Sequence, residues 1–147
     1  MDAIYPFANI IHLILGIMFL GYVFSDVVLI SALKNKFNKE TTKEINQTLG
    51  AKSFKIFPLS LLVIILTGGM MMSRYMNSNV GFFETSLQKL LMLKIIFALI
   101  IACGVLFNLF IKFSGRQKPL FMQEHFHKVV LVLGFFIVVI AKWMFVA

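Results

Sequence analysis

The sequence predicts an all-α integral membrane protein, folded as a four-helix bundle. First, 60% of its 147 residues are hydrophobic, and the mean hydropathy is +0.93. A soluble domain of this size could not cover so much apolar surface. Second, charged residues make up only 14% of the chain and lie between long apolar segments. Because backbone polar groups in a bilayer must be satisfied within the protein, we expect these segments to be helical.

Four apolar segments reach the roughly 20 residues that a helix needs to cross a bilayer. The predicted spans are residues 4–33, 54–74, 86–113 and 126–147, and together they form one transmembrane domain. Asp26 interrupts the first span, and Pro58 lies near the start of the second.

The net charge of +8 would indicate nucleic acid as the partner of a soluble protein. Here the lysines lie in the connections between spans, so we expect no nucleic-acid partner and assign them to membrane topology. The basic residues of the first and third connections are Lys34, Lys36, Lys39, Lys43, Lys52, Lys55, Lys112, Arg116, Lys118 and Lys128. The positive-inside rule then predicts a bacterial inner-membrane protein with these connections in the cytoplasm and both termini outside.

Polar residues inside the spans indicate where function lies. His12 falls about one-third of the way into the first helix from the outer side, and Lys94 lies at a similar depth in the third. Asp26 follows His12, and Asn108 follows Lys94, by about four helical turns each. Each pair therefore shares one face of its helix, and the interior is expected to be more than plain hydrocarbon packing.

His12 and Lys94 each have two interpretations. His12 either forms a hydrogen bond that holds two helices together, or it ligates a metal or haem iron. Lys94 either extends its stem to the interface, or it meets a fixed anion such as a haem propionate or a carboxylate substrate. Asp26 is not expected to be that anion, because it lies roughly 20 Å deeper along the bundle.

Other histidines and glycines have simpler interpretations. His125 and His127 fall at the cytoplasmic start of the fourth helix, so we interpret them as interfacial. Gly68 and Gly69 would allow either close helix contact or the approach of a flat macrocycle to the backbone.

Methionines offer copper as an alternative cofactor. The outer half of the chain holds Met70, Met71, Met72, Met76 and Met92. Thioethers combined with an imidazole suit Cu(I). Three consecutive methionines point in three directions on a helix, however, so only one or two could converge on an ion.

Three segments resemble those of HemJ-type protoporphyrinogen oxidases and the related copper-resistance D (CopD-like) membrane domains. The segments are "IIHLILGIMFLGYVF", with His12 at the family's histidine position, "LMLKIIFALI", with Lys94 at its lysine position, and "IVVIAKW" with Lys142. The chain resembles a divergent member, because "SDVVLI" replaces the family's Pro-Arg element and Met92 replaces a histidine.

The resemblance implies that His12 and Lys94 bind haem b and serve in the oxidation of protoporphyrinogen IX. His12 would be an axial ligand. Met70, Met71, Met72 or Met92, or His12 of a second protomer in a homodimer, would be the second. Quinone would be the natural electron acceptor in a membrane. Three functions stay open at this point: a haem-dependent oxidase, a haem or electron-transfer module without catalysis, and a copper-binding or copper-transport protein.

Overall fold

A computed structural model describes residues 2–117, 119 and 125–147 of the chain. All regular elements of this part are helical: α1 (Tyr5–Phe24), a π-helical stretch (Ser25–Ile30), α2 (Ser31–Lys34), α3 (Lys39–Tyr75), α4 (Ser86–Phe113) and α5 (Phe126–Trp143). The predicted all-α class is confirmed. Lys118, one of the basic residues of the third connection, lies outside the described residues.

The helices pack as a four-membered bundle. α1 packs mainly against α3 and α4 mainly against α5, while α1–α5 and α3–α4 contacts close the ring, so α1 and α4 face each other across it. Among the described residues, four helical segments are long and apolar enough to cross a membrane: Tyr5–Lys34, Lys39–Tyr75, Ser86–Phe113 and Phe126–Trp143. Their outward side chains are apolar and exposed, as with Phe7, Leu59 and Phe135. The chain is therefore a multi-pass membrane protein.

The two ends of the bundle differ in chemistry. At the end that holds both termini, here called the terminal end, the Tyr5 and Tyr75 hydroxyls lie 3.2 Å apart. The guanidinium of Arg74 lies over the Tyr5 ring, 4.6 Å from its centroid. The opposite end carries the lysines of residues 34–55 and is called the lysine-rich end.

The second long helix, α3, begins at Lys39 rather than near residue 54. The Asn38 side chain caps this start by accepting a 2.9 Å hydrogen bond from the Thr41 backbone N–H. A 37-residue helix is roughly 55 Å long at 1.5 Å per residue. Since the hydrocarbon core is only about 30 Å thick, the polar first turns of α3 extend beyond it. Hydrophobicity predicts the part inside the bilayer, whereas capping decides where the helix begins.

The connection between α3 and α4 is held by one buried glutamine. Thr85 and Gln88 form a reciprocal capping box at the start of α4. The Gln88 amide nitrogen also donates to the carbonyls of Tyr75, Val80 and Gly81, at 3.1–3.3 Å. Gln88 is only 1% exposed, so its polar atoms are buried with partners. It fixes the terminal end of α3 relative to α4.

Two apolar clusters fill the bundle. The larger lies toward the lysine-rich end and includes Phe19, Val23, Leu61, Ile101, Ala102, Val105 and Val130. The smaller lies at the terminal end around Met76, Leu91 and Met144. Two glycines allow close approach in the bundle, because an added Cβ would lie 2.4 Å from Phe126 at Gly104 and 2.2 Å from Leu20 at Gly134.

Candidate functional site

His12 lies on α1 and contacts α3, the helix against which α1 mainly packs. Its Nδ1 lies 3.0 Å from the Ile64 carbonyl oxygen and 3.0 Å from the Thr67 hydroxyl oxygen. The Thr67 hydroxyl in turn lies 2.7 Å from the Val63 carbonyl and can donate its hydrogen there. Thr67 is 7% exposed, so this arrangement lies inside the bundle.

These contacts assign the hydrogen on the His12 ring. The Ile64 carbonyl can only accept, so Nδ1 must be the donor, and the Thr67 oxygen shares the same N–H. In the neutral imidazole, Nε2 then carries a free lone pair. Within the described residues, Nε2 has no hydrogen-bond partner. An imidazole that donates through one nitrogen to a backbone carbonyl and presents the other is the usual arrangement of a metal-ligating histidine.

Gly68 makes room for this ring. A Cβ added at Gly68 would lie 3.2 Å from His12 Cε1 and 3.7 Å from Nδ1, whereas at Gly69 it would meet nothing within 4 Å. The imidazole itself therefore occupies the space above Gly68. The expectation of close helix contact fits this position, and the approach of a macrocycle to the backbone does not.

Lys94 lies on α4, across the bundle from α1. It is half-buried. Among the described residues, Lys94 forms no hydrogen bond or salt bridge, and no carboxylate partners it. That Lys94 lies at the level of His12 and far from Asp26 stays a prediction from the sequence.

The candidate methionine ligands lie at the terminal end. Met72 and Met92 both pack against the small apolar cluster that contains Met76 and Met144, and Met70 is 47% exposed. Four thioethers therefore adjoin one cluster. In the described part of the chain, no group of three or more His, Cys, Asp or Glu side chains could hold a metal ion.

A second polar centre, not expected from the sequence, lies at the lysine-rich end. His127 Nδ1, at the start of α5, forms a short ion pair and hydrogen bond with the Asp26 carboxylate. Asp26 lies in the first turn of the π-helical stretch. Tyr22 lies about one helical turn before Asp26, and its hydroxyl oxygen is 2.6 Å from the hydroxyl oxygen of Ser53 on α3.

His127 is 42% exposed at the start of α5, which is compatible with an interfacial side chain, and this centre gives it a partner that the sequence did not predict. The signal that could have found it was depth. Asp26 near the end of a span that runs inward, and His127 at the start of a span that runs outward, must lie at the same end of the bundle. A carboxylate inside an apolar span also requires a partner, and His127 was the available one.

The conformation around Asp26 is unusual as well. The π-helical residues Ser25–Ile30 interrupt the regular helix, and the Ser31 hydroxyl donates to the Val27 carbonyl at the exit of this stretch. Single π-helical turns are frequent at functional or specially packed positions. On α4, the buried Asn108 Oδ1 has no hydrogen-bond partner among the described residues.

The chain matches no family model, no curated protein and no solved structure.

Proposed function

We propose that this chain is a membrane protein that binds haem b, with His12 as an axial ligand of the iron. The single observation that carries the proposal is the hydrogen bonding of His12, which donates through Nδ1 to the Ile64 carbonyl and leaves Nε2 free to ligate. An imidazole inside a membrane span is costly unless it is used. When bound, haem supplies one-electron chemistry through its iron.

Lys94 would bind an anionic group of the same ligand. A half-buried ammonium with no carboxylate partner in the described chain needs an anion from elsewhere. A haem propionate has the right charge, and Lys94 lies on α4, across the bundle from the helix that carries His12. Met72 or Met92, which both pack against the terminal-end cluster, is the proposed second axial ligand. The alternative is His12 of a second protomer in a homodimer.

The proposed activity is the oxidation of protoporphyrinogen IX in a bacterial inner membrane, with quinone as electron acceptor. Its support is the resemblance at His12 and Lys94. A haem-binding electron-transfer role without catalysis needs only the first of these two residues. Turnover of protoporphyrinogen IX by the purified protein, compared with its Lys94→Met variant, distinguishes the two roles.

An optical spectrum tests the cofactor. Protein purified from a haem-replete host should show a Soret band, and His12→Ala should abolish or strongly weaken it. His127→Ala is the matched control, because it removes the same side chain from the other polar centre and should change the band little. Loss of the band in His127→Ala, with retention in His12→Ala, would place the site at the lysine-rich end instead.

Copper is the second candidate, and one observation favours it. Met72, Met76, Met92 and Met144 all adjoin the terminal-end cluster, and thioethers prefer Cu(I). If copper is the cofactor, purified protein should carry copper without a Soret band, and Met72→Leu combined with Met92→Leu should remove the metal.

A further inference from the structure

We propose that Thr67 is a positioning residue for His12, whose hydroxyl fixes the imidazole against α3 and strengthens Nε2 as a ligand. The proposal rests on the haem binding proposed above and concerns how the chain itself sets the properties of the ligand. Several polar atoms meet at one point of the α1–α3 contact. The Thr67 hydroxyl oxygen lies 3.0 Å from His12 Nδ1. It also lies 2.7 Å from the Val63 carbonyl oxygen and 3.1 Å from the Ile64 carbonyl oxygen.

The hydrogen atoms at this point can be assigned. A threonine hydroxyl has one hydrogen to donate, and the Val63 carbonyl is its nearest acceptor. The lone pairs of the hydroxyl remain for His12, whose Nδ1–H is shared between the Thr67 oxygen and the Ile64 carbonyl. A hydrogen-bonded chain therefore runs from Nδ1–H through the hydroxyl to the Val63 carbonyl. A hydroxyl that donates at one end accepts more strongly at the other.

The Ile64 carbonyl alone is a poor substitute for this hydroxyl. In an α-helix it also accepts from the backbone N–H of Gly68, four positions on, so one of its two lone pairs is already used. Gly68 leaves the imidazole room to lie against this turn, since a Cβ there would come within 3.2 Å of His12 Cε1. Thr67 is 7% exposed, so little water reaches its hydroxyl. Two acceptors and one gap within a single turn of α3 thus hold the ring.

The expected consequence of this contact lies at the other ring nitrogen. Acceptors at Nδ1–H fix the tautomer of the imidazole and raise the basicity of Nε2 as a ligand. A more basic ligand favours ferric over ferrous iron, so the Thr67 hydroxyl should lower the reduction potential of bound haem. Removing a hydrogen-bond partner of a ligating histidine typically costs about 10–100-fold in metal affinity.

The test compares three variants of α3. Thr67→Val keeps the branched shape and removes the hydroxyl, whereas Thr67→Ser keeps the hydroxyl. Thr48→Val is the matched control, because the Thr48 hydroxyl donates to the Glu44 carbonyl at 2.9 Å, the same bond to the carbonyl four residues earlier, at an exposed position. Potentiometric titration of the Soret band gives the haem reduction potential. NMR of the haem-free protein, with 15N-labelled histidine, gives the exchange rate of the His12 Nδ1–H.

Thr67→Val should raise the reduction potential and weaken haem binding by about tenfold. It should also speed exchange of the Nδ1–H about fivefold, the factor that one ordinary hydrogen bond contributes. Thr67→Ser should restore all three properties, and Thr48→Val should change none. A destabilised Thr67→Val protein with the parental potential and exchange rate would make Thr67 a packing residue and overturn the proposal. Absence of a Soret band in the parent would instead overturn haem binding, and the exchange rate would still decide whether Thr67 holds His12.

Discussion

The two polar centres of the bundle are built from the same kinds of residue but are satisfied in different ways. At the lysine-rich end, the Asp26 carboxylate and the His127 imidazole satisfy each other across two helices. Toward the terminal end, His12 uses one ring nitrogen to hold itself on α3, and Lys94 has no anionic partner in the described chain. The first centre is complete within the protein, and the second is not.

Whether a polar side chain has a partner within the chain distinguishes the two centres better than the residue types do. A bilayer penalises every ionisable side chain, so each must have a partner. Where the chain supplies that partner, the pair can act as a link between helices. Where it does not, the side chain extends to the interface, loses its charge or takes a partner from a bound group. The contrast gives Asp26 and His127 a packing role, and it supports the proposal that His12 and Lys94 bind a ligand.

The largest effect we predict is a difference in thiol labelling: one end of the bundle should be labelled from outside the cell, and the other should not. A cysteine placed at Ser78, in the connection between α3 and α4, should react with an impermeant thiol reagent from outside the cell. A cysteine at Asn46 should be protected, because the positive-inside rule predicts that the lysine-rich end faces the cytoplasm. Both positions are exposed, and Cys103 is first changed to serine because it is also exposed. Labelling of Asn46 alone would invert the bundle and the assignment of depth to His12 and Lys94.

The next largest effect should come from breaking the complete centre. Asp26→Ala and His127→Ala should each lower the free energy of unfolding by about 2 kcal/mol, since each leaves a partly buried partner unpaired. The double variant should be destabilised by clearly less than the sum. Reversible unfolding in mixed micelles gives these values. Asp26→Ala combined with His12→Ala is the control and should be additive, because these residues do not contact each other. Coupling in the control but not in the pair would refute the link between helices.

A smaller effect of opposite sign is expected at Lys94. Lys94→Met keeps the length of the side chain and removes the ammonium, so apoprotein stability should rise by about 1 kcal/mol. Haem occupancy should fall, and Lys94→Arg should retain part of it because the charge is kept. Lys89→Met, at an exposed position one to two turns earlier on α4, should change neither quantity. Unchanged haem content in Lys94→Met would make Lys94 a snorkelling lysine and would remove the strongest link to the oxidase family.

Much of this architecture follows from the sequence, because hydrophobic length alone specifies the spans. The bounds of α4 match the predicted third span, since Thr85 and Gln88 give a capping signal next to an apolar run. The start of α3 was not predicted, because its first turns are polar and depend on the Asn38 cap. At the sites, helical spacing and depth predict that His12 and Lys94 lie at a similar level, and this stays a prediction. Pairing across helices, as between Asp26 and His127, depends on helix rotation, and hydrophobic length does not specify rotation.

The smallest effect we predict concerns two adjacent glycines on α3 and tests the geometry that holds His12. Replacing glycine by alanine inside a helix stabilises it by up to about 1 kcal/mol through backbone entropy. Gly69→Ala should show this gain in full, because the added Cβ meets nothing within 4 Å. Gly68→Ala should show little or no gain, because its Cβ would lie 3.2 Å from His12 Cε1 and the ring would have to shift.

That shift would also strain the hydrogen bond from Nδ1 to the Ile64 carbonyl. The Soret band of the haem-loaded protein should therefore change in Gly68→Ala and not in Gly69→Ala. Unfolding in mixed micelles and the optical spectrum measure the two consequences independently. Equal stabilisation with identical spectra would show that the His12 ring does not rest on Gly68, and the assignment of Nε2 as the free ligating nitrogen would fall with it.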